Sequence, residues 1–178
     1  MLLLYKVCFL FDKARETHFV LSLSIEGEVF IQIVNDIILY VFMIRIAYYD
    51  IKERKIHNSI LIFMILVYIS LFLISSLFFN LKIPIKDNFI AAFGAFLLFI
   101  FMKIAHPSGV GMGDVKLVFV LGLYLGYSVF EVIGISLIFL SIYRFLRKEI
   151  SQEGFPYAPF LLAAMLFKKF MICYIAIS

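Results

Sequence analysis

The stretch SILIFMILVYISLFLISSLFF, Ser59–Phe79, runs for 21 residues without a single charge. A helix needs about 20 predominantly apolar residues to cross the hydrocarbon core of a bilayer. Working outward, Val29–Tyr49 and Phe89–Ala105 have the same character, followed by a shorter run at Val115–Leu125 and longer ones at Val129–Phe145 and Tyr157–Ile177. Breakers separate them at Asn80–Pro84, Pro107–Gly113, Gly126–Ser128 and Gly154–Pro156. The expected fold is all-α, a polytopic membrane helix bundle with about six transmembrane helices. Composition agrees. Hydrophobic residues make up 65% of the 178 and charged residues 16%, with 22 Phe and a mean hydropathy of +1.09. A soluble domain of this size has too little interior to hide that much apolar surface. Soluble enzymes, disordered regulators and disulfide-rich secreted modules are excluded.

The minority residues orient the bundle. Lys52, Arg54 and Lys55 fill one loop, Lys103 and Lys116 flank a second, and Arg144, Arg147 and Lys148 mark a third. The alternate loops carry only Lys82 and Lys86. The positive-inside rule puts the first set in the cytoplasm, so the chain enters its first span from outside. The net charge of +4 then reports topology and not a nucleic-acid partner. Residues 1–27 form an N-terminal segment whose apolar stretch, Met1–Phe11, is too short to span, and it reads as interfacial. Residues 28–178 form the transmembrane domain. Lys168 and Lys169 interrupt the last span; they either snorkel to the outer surface, the favoured outcome, or face a polar interior.

Ionisable groups at membrane depth are the first places to look for function. Asp36 and Arg45 lie inside the first span, Asp50 at its cytoplasmic end, Asp114 at the start of the fourth and Glu131 near the start of the fifth. Asp36 is placed to bond another helix. Asp50 and Asp114 stand out because both fall at the same face. Gly109-Val-Gly-Met-Gly-Asp114 presents its acid on backbone with few side chains, open to an extended peptide or a second carboxylate. A plainer reading makes Asp114 a helix cap and Asp50 a solvated acid in a charged turn. As a pair they have chemistry. Two carboxylates in a partly dry site cannot both ionise easily, so one keeps a proton while the other can activate water. Cys8 and Cys173 lie at opposite ends of the chain, and His18, His57 and His106 share no ligand spacing, so no metal and no cofactor are expected.

Gly111-Met-Gly-Asp-Val-Lys-Leu117 resembles the GxGD motif of the type IV prepilin peptidases, membrane aspartic proteases that mature pilin and pseudopilin precursors. Asp50-Ile-Lys-Glu-Arg-Lys-Ile-His-Asn58 is similar to that family's other aspartate segment, with His57 in place of a common Pro. Gly122-Leu-Tyr-Leu-Gly126 resembles its glycine-containing fourth helix, and Phe155-Pro-Tyr-Ala-Pro-Phe160 its Pro-x-Gly-Pro-Phe element, with Ala158 for Gly. The resemblance runs from about Ile31 to Phe167. It implies Asp50 and Asp114 as the catalytic pair, Gly111 and Gly113 as shapers of the approach to Asp114, and Lys116 as a basic residue tuning the pair or binding lipid phosphate. Gly122 and Gly126 have small-xxx-small spacing suited to close helix packing. Pro156 and Pro159 are expected to shape the start of the last helix and not to touch substrate.

The implied activity is an endopeptidase of the cell membrane that removes a short basic leader from a prepilin-like precursor at the cytoplasmic face. Its partners would be that precursor and the bilayer. The cysteine-rich insertion that larger relatives use for N-methylation has no counterpart here, which favours a peptidase-only form. Two rivals stand. A presenilin-like intramembrane protease also pairs Tyr-Asp with GxGD, but its acids lie on neighbouring helices, whereas two spans separate them here. A small proton-coupled transporter would use Asp50, Asp114 and Asp36 as a relay, but such folds often carry internal repeats, and none is visible.

Overall fold

A computed structural model describes residues 19–79, 85–105, 110–147 and 156–175. Those residues form six helices and no strand: α1 (Phe19–Glu53), α2 (Asn58–Phe79), α3 (Ile85–Ala105), α4 (Met112–Leu125), α5 (Ser128–Arg147) and α6 (Ala158–Ile175). The fold is a helical membrane bundle. Four segments are long and apolar enough to cross a bilayer, namely Ile31–Glu53, Asn58–Leu77, Ile85–Ala105 and Ser128–Leu146. Their outward side chains confirm the solvent they expect. Leu77, Phe101, Phe145 and Leu146 are all at least 74% exposed, which only a lipid environment makes inexpensive.

α1 starts at Phe19, earlier than the Val29 expected, so residues 19–27 continue the first span as helix. Residues 1–18, and with them most of the segment read as interfacial, lie outside the described residues. α1 ends where Arg54 takes φ +52 and donates its N–H to the Asp50 carbonyl at 3.0 Å. Four residues later the chain is helical again.

α4 is the central element. It has 14 residues, about 21 Å at 1.5 Å per residue, and so falls short of a span. Val115, Leu117, Val118 and the whole run Val120–Tyr124 are buried. It packs most closely on α3, where Ala91, Ala92 and Ala95 are fully buried. A Cβ on Gly122 would sit 2.4 Å from the Ala92 Cα, so these backbones touch as small-residue membrane interfaces do. Gly126 also packs closely, since a Cβ there would lie 2.7 Å from the Asn88 Oδ1 of α3, and it has a second job. It closes α4 with φ +56, donating to the Gly122 carbonyl at 2.9 Å. Around α4, α1 packs on α2 and α6, and α5 on α6. Tyr124 pins α4 to α2 by donating its hydroxyl to the Met64 carbonyl at 2.7 Å.

Candidate active site

Because α4 is short and enclosed, its first turn begins within the bundle, and that turn carries Asp114. The Gly111 N–H donates to Asp114 Oδ2 at 3.1 Å, folding the carboxylate back over the helix start. Asp50 reaches the same place from the last turn of α1. Both acids are buried, at 5% and 8% exposure, and both line one open cavity of about 400 Å³ with Arg54–Asn58 and Gly111–Gly113. Asp114 lies outside the four spans. Burial, and after it the negative charge of Asp50, pushes its carboxyl up to about 7, opposed by the Gly111 N–H and the positive charge of Lys103.

Asp50 has a partner that sequence reasoning missed. Its Oδ2 accepts the Ala158 N–H at 3.0 Å, and the Tyr157 N–H adds a weaker interaction. The first turn of α6 therefore lies against the acid, and orphan N–H groups with a positive helix end suit a carboxylate there. Pro156 and Pro159 were the available signal, since prolines gather at helix starts. They mark a helix start, and the consequence seen only in the structure is that its first amide faces Asp50. Tyr157 is buried against Phe99, ring centroids 5.5 Å apart, with its hydroxyl bonded to Ser136, and it lies within electrostatic reach of Asp114.

The glycines differ in what they do. A Cβ on Gly113 would meet the Ile56 Cβ at 2.9 Å, so the residue that sequence alone assigned to substrate access also lets α4 close against the Asp50 loop. Gly111 supplies its N–H to Asp114. Lys116 is exposed, and its Nζ donates to Asn58 Oδ1 at 3.1 Å, tying α4 to the start of α2. Lys103 on α3, unremarked in the sequence as a partner for the pair, is the cation that acts on Asp114. His57, the departure from the common Pro, is exposed, bonded to Glu53 at 3.0 Å and edge-on to Tyr49.

Asp36 is not part of this cavity. It pairs with Lys169, while Lys168 Nζ lies 2.7 Å from Glu131 Oε2. Both lysines turn to acids of neighbouring helices and line a second cavity of about 390 Å³, between α1, α4, α5 and α6. Arg45 is exposed, with its guanidinium 6.0 Å from the centre of the Tyr49 ring.

No curated protein and no solved structure matches this chain. A sequence-family description, the type IV leader peptidase family, matches residues 37–167, a stretch that includes both aspartates and the Pro156–Pro159 segment. Covering well over half of the residues, that match settles the family: this chain belongs to the type IV leader peptidases.

Proposed function

We propose that the chain is an aspartic endopeptidase that removes the short basic leader of a prepilin-like precursor at the cytoplasmic face of the cell membrane, with Asp50 and Asp114 as its catalytic pair. The observation that carries this reading is the meeting of the two acids, distant in sequence, in one open cavity with the charge of Asp50 acting on Asp114.

In this reading the pair holds one proton. The ionised carboxylate takes a proton from water as the water oxygen attacks the scissile carbonyl carbon. The protonated carboxyl donates to the carbonyl oxygen, which carries the developing charge. When the tetrahedral intermediate collapses, the C–N bond breaks and the leaving amine takes the proton acquired from water. The two acids titrate as a unit. The open rim at Gly111–Gly113 leaves room for an extended peptide backbone beside Asp114. The carrier reading loses a member, since Asp36 is ion-paired to Lys169 and lines a different cavity.

Co-expression with a type IV prepilin, followed by N-terminal sequencing, tests the proposal. Wild type is expected to yield the mature N-terminus. Asp50→Asn and Asp114→Asn are each expected to lower cleavage by at least 10²–10⁴-fold, roughly the range of a lost general acid or base, with membrane levels unchanged. Wild-type rates in either variant would sink the assignment.

A further inference from the structure

A second depression adjoins the carboxylate cavity. About 330 Å³ in volume, it is lined by Asn58, Leu61, Ile62 and Ile65 of α2, Phe96 of α3, and Lys116, Phe119 and Val120 of α4. The α2 residues fall at i, i+3, i+4 and i+7 and the α4 residues at i, i+3 and i+4, so each set forms one helical stripe. Seven residues at 1.5 Å give the groove a depth of about 10 Å, two helical turns.

Its shape follows from the packing. Among the described residues α2 packs on α1 and α4 but scarcely touches α3. The two meet at Tyr68, whose hydroxyl accepts from Asn88 Nδ2 at 3.2 Å. On the aspartate side of that contact, Leu61, Ile62 and Ile65 of α2 and Phe96 of α3 line an open wedge. Phe96 and Phe119, ring centroids 5.9 Å apart and edge to face, make its floor. Asn58 lines both this wedge and the carboxylate cavity, and the Lys116–Asn58 hydrogen bond lies at their junction.

The geometry points to this wedge as the docking surface for the apolar helix of the protein substrate, an inference that rests on the peptidase reading. An apolar helix enters sideways from the bilayer and lays two turns against Leu61, Ile62, Ile65 and Phe119. The chain then leaves helical form at Lys116–Asn58, and its next residues run extended past Gly111–Gly113 to the acids. The wedge thus sets which peptide bond is cut, by counting from the end of the helix. A phospholipid is the competing occupant. Lys116 would suit its headgroup, but the wedge and the carboxylate cavity share Asn58, and only a peptide chain has to reach both.

Two measurements test this. In an Asp114→Asn background, benzoylphenylalanine replaces Ile62, which is 58% exposed, or Ile142 on α5, which is 51% exposed, during co-expression with an uncleaved type IV prepilin. Illumination is expected to crosslink position 62, and not 142, to the apolar helix of the prepilin. Crosslinks to lipid alone, equal crosslinking from both sites, or none would overturn the inference. In the otherwise unaltered protein, Ile65→Trp is expected to raise KM for the prepilin about tenfold, as one overpacked side chain would. A leader peptide truncated before the apolar helix should be cut as by wild type, and an equal loss on both substrates would also overturn the inference. Crosslinking at 62 without any cleavage by wild type would instead remove the peptidase reading and leave the wedge as a binding site. Cleavage without crosslinking would do the reverse.

Discussion

Asp114 is held by three residues that pull in different directions. Asp50 favours its protonated form, while the Gly111 N–H and Lys103 favour its ionised form. Since its carboxyl lies near 7, above the usual carboxylate range, a mechanism that needs Asp114 protonated loses activity as pH rises through about 7. The alkaline limb of kcat/KM against pH reports the apparent value of the pair, to which Asp114 contributes. Lys103→Met removes a charge that lowers the value, so that limb should move to higher pH, and a shift to lower pH would refute the placement. Stability follows the same sign. A carboxyl whose folded value is raised binds its proton more tightly in the native state, so the fold loses stability as pH climbs from about 4 to about 7. Asp114→Asn abolishes that loss. Its Tm should exceed that of wild type at pH 8 and differ less at pH 5.

At the scale of helices, α4 is positioned by contacts too close to admit a side chain. Gly122→Ala would place a methyl 2.4 Å from the Ala92 Cα, and backbone cannot swing aside as a long side chain can. A loss of about 1–3 kcal/mol is expected, as for other overpacked sites, measured by denaturation in detergent. α6 is fastened at its start and past its middle. Its first amides lie against Asp50, and Lys168 and Lys169 tie it to α5 and α1. The Asp36–Lys169 pair is half-exposed, so Lys169→Met should cost about 1 kcal/mol or less. Reversing the pair, Asp36→Lys with Lys169→Asp, should restore most of it. Failure of that double variant to recover would show that the lysine matters for packing and not for charge.

Across the whole molecule, topology carries both acids to one end of the bundle, with Arg54, Lys55, His57 and Lys116 around the opening. If the basic loops are cytoplasmic, so is the opening. In a variant with Cys8 and Cys173 replaced by Ser, Lys55→Cys should react with an impermeant maleimide only from the cytoplasmic side. Lys86→Cys, in the first turn of α3, should react only from outside. Labelling of both from one side would invert or break the proposed topology.

Much of this protein is written locally. A charge-free run as long as Ser59–Phe79 is a helix in lipid, because only helices and closed barrels satisfy backbone amides there and barrel strands are about half that length. Glycine and proline mark the breaks for equally local reasons. Asp50 and Asp114 stood out in the chain because charge is scarce at membrane depth. What the tertiary structure alone decided is who meets whom. That Ala158 would donate its amide to Asp50, that Lys103 would act on Asp114, and that Lys168 and Lys169 would pair with Glu131 and Asp36 all depend on how helices pack across distant sequence. Apolar periodicity carries little of that information when every face of a helix is apolar. Close approach decides it: Gly122 brings its backbone onto that of Ala92, and Gly113 makes room for the Ile56 side chain.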